Sequence, residues 1–137
     1  MAKENLRKTG SEMEEIAGEY LAAHGVRVLE RNFRSREAEI DIVGEQDKTL
    51  LFVEVKARRA DEKSGKASEA VGPAKQKRIC RCADYYMYSK KIDPYSTSIR
   101  FDVIAITVTG EKKEILWIRN AFEYVPFRIS KPHWRVW

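Results

Sequence analysis

Apolar residues at Met13, Ile16, Ala17, Tyr20 and Leu21 follow helical spacing, and the spacing then shortens to the alternation of strands. The first helix is expected from about Glu12 to His24. Ser11 with Glu14 reads as a capping box and Gly25 as the stop. Strands are expected over Val26–Phe33, Ala38–Val43 and Leu50–Ala57, with Gly44–Lys48 as the turn between the second and third. A polar loop, "RRADEKSGK", leads to Gly72-Pro73 and a second helix over Ala74–Ser89. After "DPYSTS", the run "FDVIAITV" has the unbroken apolarity of a strand buried on both faces, and Glu114–Ile118 reads as the last strand. A three-strand meander followed by a strand–helix–strand crossover predicts an α/β fold with a mixed central sheet flanked by helices.

Length and composition narrow the class. A chain of 137 residues, 43% hydrophobic and 34% charged, suits a single domain over 1–137, with a core at about 11–122 and a C-terminal tail at 123–137. No apolar run reaches membrane-spanning length and "MAKENLRKTG" lacks a signal peptide's hydrophobic stretch, so a cytoplasmic protein with no membrane partner is expected. Cys80 and Cys82 point in different directions on a helix, and only His24 and His133 offer imidazole. That argues against a zinc site.

Charge is distributed unevenly. The net +5 divides into 8 Lys+Arg against 12 Asp+Glu in residues 1–54, and 18 against 9 in residues 55–137. An acidic site beside a polyanion-binding face would give this pattern, and so would ordinary solvated helix faces.

The stretch "LLFVEVKAR" sets Glu54 and Lys56 on one face of a greasy strand. Glu39 and Asp41 share a face of the preceding strand. With an even-numbered hairpin loop, all four converge on one side. Carboxylates so placed repel one another unless a cation lies between them. Hard oxygen donors with few nitrogens favour Mg2+ or Mn2+, which polarises a phosphoryl oxygen and acidifies a bound water. Lys56 is placed to orient that water or to offset phosphate charge. An acid and a lysine at spacing two is weak evidence alone, and a surface ion pair is the plain alternative.

Asp41, thirteen positions before "EVK", resembles the D…ExK signature of PD-(D/E)xK nucleases. More closely, "GEYLAAHGVRVLERNFR", "AEIDIVG", "LLFVEVKARR", "EAVGPAKQKRI", "RFDVIAI" and "NAF" resemble the YraN family of predicted endonucleases, from about Gly18 to Phe122. The resemblance implies a restriction-endonuclease-like fold and metal-dependent cleavage of DNA. It implies Asp41 and Glu54 as metal ligands, Val55 through its backbone carbonyl, and Lys56 as the partner of the nucleophilic water. Glu19 matches a first-helix acid that fold-related Holliday-junction resolvases place near the metal. Gln76 matches a glutamine on the helix after the motif, and Glu39 is an auxiliary acid. Ala38 stands where the family usually carries glycine, a change that touches no ligand.

Lys75, Arg78 and Arg81, with Lys77 close by, form a basic stripe on the second helix; it suits a DNA backbone and a solvated outer face equally well. Arg58 and Arg59 follow the catalytic strand and are better placed for a scissile phosphate. The tail aromatics Phe127, Trp134 and Trp137 read as docking on the protein's own core or on a partner chain. The expected function is Mg2+- or Mn2+-dependent hydrolysis of DNA, with branched or single-stranded DNA as candidate substrates. The alternatives are a non-catalytic DNA-binding module of the same fold and an adaptor in a DNA-processing complex. Cutting both strands of a duplex would call for a homodimer.

Overall fold

The structure, a computed structural model, describes residues 2–60 and 71–125, with only the backbone of 2–9. It contains helix α1 (Ala2–Ala23), strands β1 (Arg27–Arg34), β2 (Glu39–Gln46) and β3 (Thr49–Arg59), helix α2 (Pro73–Ser89), and strands β4 (Ser98–Thr109) and β5 (Lys112–Phe122). The strands lie in the order β1-β2-β3-β4-β5, antiparallel except for the parallel β3–β4 pair that α2 connects. This is the expected α/β mixed sheet, consistent with a restriction-endonuclease-like fold. Among the described residues, no helix is long and apolar enough to cross a membrane.

Several expected boundaries move: β4 begins three residues before Phe101, and β5 extends two residues before Glu114 and four beyond Ile118. α1 begins at Ala2, because "AKENLRK" is rich in strong helix formers; Ser11 and Glu14 therefore sit inside the helix and form no capping box. Gly25 does end it: φ is +89°, the Val26 amide donates to Leu21 O at 2.9 Å and the Gly25 amide to Ala22 O at 3.3 Å, the two bonds of a Schellman stop. The β2–β3 turn is shorter than expected. Only Asp47 (φ 48°) and Lys48 (φ 67°) leave the strands, with the φ signs of a type I′ turn, and Gly44 to Gln46 belong to β2. Without an Asn-Gly pair, "QDKT" hid how tight the turn is. Gly44 itself lies against β1, where a Cβ would stand 2.7 Å from Val26 Cγ1.

The sheet separates two cores. On one face, Met13, Ala17 and Leu21 of α1 pack on Ile42, Leu51, Val53, Ile104 and Ile106. On the other, Ile79, Cys82, Ala83, Tyr86 and Met87 of α2 pack on Ile40, Val43, Leu50, Phe52 and Phe101. Each fully buried large side chain, such as Leu21, Phe52 or Ile104, stabilises by about 1.5–3 kcal/mol. Both cysteines are buried and free. Burial pushes their thiols up, and Cys82 Sγ donates to Ala38 O at 3.4 Å.

One acid is enclosed in the sheet. Asp102 sits at the register shift between β4 and β5, where it accepts hydrogen bonds from Arg100 Nε (2.9 Å) and Nη2 (3.0 Å), Trp117 Nε1 (2.9 Å) and the Asn120 amide (2.9 Å). These donors satisfy both carboxylate oxygens and pin the bulge, at which Asn120 takes φ 53°.

Candidate active site

Asp41 stands where the alternation of β2 breaks. Ile40 packs in the α2-side core and Ile42 in the α1-side core, although regular alternation would put them on one face. The paired register of β2 and β3 reaches Ile42↔Val53, and one step further Asp41 Oδ2 accepts the Val55 amide at 2.7 Å. The carboxylate thus takes the place of a ladder partner and is held between the strands.

Three other carboxylates press on it. Burial first, then the charge of Glu54, with Glu14 and Glu39 adding to them, raise the Asp41 carboxyl to about 8 against the opposing Val55 hydrogen bond. Glu14, reaching in from α1, is raised as well, by burial and then by Glu39. Asn32, with its amide nitrogen turned inward, bridges Glu14 Oε2 at 2.8 Å and Glu39 Oε1 at 3.0 Å. It takes the left-handed conformation (φ 54°) that asparagine tolerates.

Two lysines face this cluster with opposite tendencies. Lys75, from the first turn of α2, donates to Glu54 Oε1 at 2.6 Å. Burial works against its charge, but the hydrogen bond and charge of Glu54 outweigh it and raise its pKa. Burial lowers the pKa of Lys56, and the neighbouring Lys75 ammonium lowers it further against the pull of Glu54 and Asp41. One ammonium is firmly held, and its neighbour carries its charge less readily.

Asp41, Glu54, Lys56 and Glu39 therefore come together. Val55 is tied to the site through its N–H. Glu39 also meets Arg34 at 3.5 Å. Glu19 is exposed, five residues past Glu14 and so roughly 140° around the helix from it. Gln76 turns to its own helix start and donates to Val71 O at 2.9 Å. Arg58 and Arg59 are consecutive in β3 and so face opposite sides of the sheet. Lys77, Arg78 and Arg81 are exposed on α2, and Arg81 pairs with Glu37 at 2.9 Å. The readings of the 61–70 part of the polar loop and of the tail aromatics fall outside the described residues.

Sequence reasoning missed Glu14 and Asn32 as site residues and read Lys75 as either a phosphate contact or part of a solvated face. Glu14 carried a signal: it lies three and seven residues before Ala17 and Leu21, on the flank of the stripe that packs on the sheet. Asn32 carried none, because its role depends on a left-handed backbone inside β1. As the side chains stand, no three His, Cys, Asp or Glu groups among the described residues are gathered closely enough to hold one metal ion. The donors are nevertheless hard oxygens short of positive charge, and the place beside Glu54 is taken by Lys75 Nζ. Such a set fits a hard divalent cation once that ammonium is displaced.

The model of the uncharacterised protein family UPF0102 matches residues 13–106, which include every acid of the cluster. The chain belongs to this family. A UPF0102 protein of Syntrophus aciditrophicus is 45% identical over 120 residues, covering 88% of this chain and 91% of the relative. One from Chlorobium phaeobacteroides is 47% identical over 105 residues (77% and 80%), and one from Vibrio campbellii is 38% identical over 115 (84% and 92%). Family membership extends over both helix–sheet layers that position Asp41, Glu54 and Lys75.

Proposed function

We propose that this UPF0102 chain is a metal-dependent nuclease that hydrolyses DNA phosphodiester bonds in the cytoplasm. The carrying observation is the enforced crowding at Asp41: this half-buried carboxylate and three others press together, flanked by two lysines with pKa values pushed in opposite directions. A fold does not gather such charge for stability, since it is destabilising without a cation. Asp41, Glu54 and Glu14 would hold Mg2+ or Mn2+, which supplies Lewis acidity toward a phosphoryl oxygen and a more acidic water. With a cation held there, Lys75 would be displaced from Glu54 and its charge would be free for the substrate phosphate. Lys56 would orient the attacking water or offset charge on the phosphate. Asn32 keeps Glu14 and Glu39 in place.

The test compares the wild type with Glu54→Ala on labelled duplex, flapped, four-way and single-stranded DNA, with Mg2+ or Mn2+ present. We expect metal-dependent cleavage that falls at least a hundredfold in the variant while DNA affinity persists. The 2.6 Å closure of Lys75 on Glu54 favours a second reading, a DNA-binding module whose site stays shut. That reading predicts two inert proteins with equal DNA affinity.

A further inference from the structure

The solvent face of α2 does not end with its bases. Lys77, Arg78 and Arg81 occupy its first half, and Tyr85 and Tyr88 continue the same face at three- and four-residue spacing. Both residues are exposed, at 54% and 44%, and the Tyr85 ring leans against Phe33 with centroids 5.9 Å apart. They line a groove of about 610 Å³ whose opposite wall is the β1–β2 turn, with Arg34, Ser35, Arg36 and Glu37; Arg81 and Asp84 complete it. Its own charges nearly balance, because Glu37 pairs with Arg81 at 2.9 Å, Arg34 is paired outside the groove, and Asp84, which meets the Tyr124 hydroxyl, offsets Arg36; the surplus of cations lies on the adjoining helix face, at Lys77 and Arg78.

The groove adjoins the carboxylate cluster. Arg34 reaches from its wall to Glu39 at 3.5 Å, and Glu39 shares Asn32 with Glu14. Lys77, Arg78, Arg81, Tyr85 and Tyr88 fall within about 100° of the helix circumference over a rise of about 17 Å, so a polyanion following that face meets ammonium and guanidinium groups first and aromatic faces next. Exposed rings beside cations are what unpaired bases require, because every base offers a stacking face and a duplex offers none along its side.

We propose that this groove binds single-stranded DNA, with Tyr85 and Tyr88 stacking the unpaired bases of an arm whose backbone runs along Lys77, Arg78 and Arg81 toward the carboxylate cluster. The inference deepens the nuclease reading by naming the substrate class as DNA with a single-stranded arm, yet the binding itself stands or falls independently of cleavage.

The experiment measures, by fluorescence anisotropy in a chelating buffer, binding of a labelled single-stranded oligonucleotide and of a blunt duplex to the full-length wild type, Y85A/Y88A and Y85F/Y88F. Stacking predicts that the alanine pair loses about tenfold or more of its single-strand affinity with little change on duplex, and that the phenylalanine pair retains it. Circular dichroism checks that the exposed substitutions leave the fold intact. Equal single-strand binding by the wild type and the alanine pair overturns the proposal, as does an equal loss on both DNAs. A wild type that binds no oligonucleotide but forms a dimer abolished in the alanine pair overturns it in favour of a protein-docking face. If the alanine pair alone loses single-strand binding while the wild type cleaves nothing, the groove stands and the nuclease reading falls.

Discussion

Asp102 and Asp41 are strand aspartates of the same sheet, and they have been given opposite surroundings. Asp102 on β4 is fully enclosed and receives hydrogen bonds from four donor atoms, two of them on a guanidinium. Asp41 on β2 receives one, from Val55, and is otherwise faced by carboxylates. The first arrangement closes a bulge and needs nothing more. The second leaves a demand for positive charge that the fold meets only in part, through Lys75 and Lys56. An enclosed acid therefore marks a candidate site when its neighbours share its sign, whereas satisfaction by donors marks a structural pin.

Substitutions can test that contrast. Asp102→Ala leaves Arg100, Trp117 Nε1 and the Asn120 amide without their acceptor, and should destabilise by about 3–5 kcal/mol. Thermal denaturation would show it as a fall of roughly 10 °C or more, and an unchanged midpoint would break the comparison.

Asp41→Asn should act in the opposite direction. The folded-state pKa of Asp41 is raised to about 8, above its unfolded value, so its protonation favours the fold at low pH and that stabilisation is lost as pH rises through 8. Asparagine does not titrate. In chelating buffer the variant should match the wild type near pH 4 and gain progressively toward pH 8–9, by on the order of a few kcal/mol. A constant or declining difference across that range would mean that Asp41 is not crowded.

The smallest effect separates two helix acids. Glu14→Gln should weaken Mn2+ binding about tenfold by titration calorimetry, whereas Glu19→Gln should leave it unchanged. The reverse order would relocate the first-helix contribution to the exposed face.

Much of the fold was readable because its signals are local. The unbroken apolarity of "FDVIAITV", the Gly25 stop and the Gly72-Pro73 helix start each depend on a few neighbouring residues. The even hairpin loop also put Asp41, Glu54 and Lys56 together on paper. Less readable was whatever depended on backbone departures or distant contacts. The break in alternation between Ile40 and Ile42 is set by two cores at once, and the left-handed Asn32 carries no sequence mark. Lys75 was seen as basic, but its 2.6 Å contact with Glu54 requires knowing how α2 crosses the sheet.

The two-residue turn at Asp47-Lys48 has a consequence for how this protein can change over time. Because side chains alternate along a strand, a slip of one residue in the pairing of β2 with β3 would send Glu54 and Lys56 to the opposite face, whereas residues added within the turn lie outside the ladder and leave that pairing intact. Lineages that keep this chemistry are therefore free to lengthen the hairpin at its tip, and not in the strands between the tip and Asp41 or Glu54.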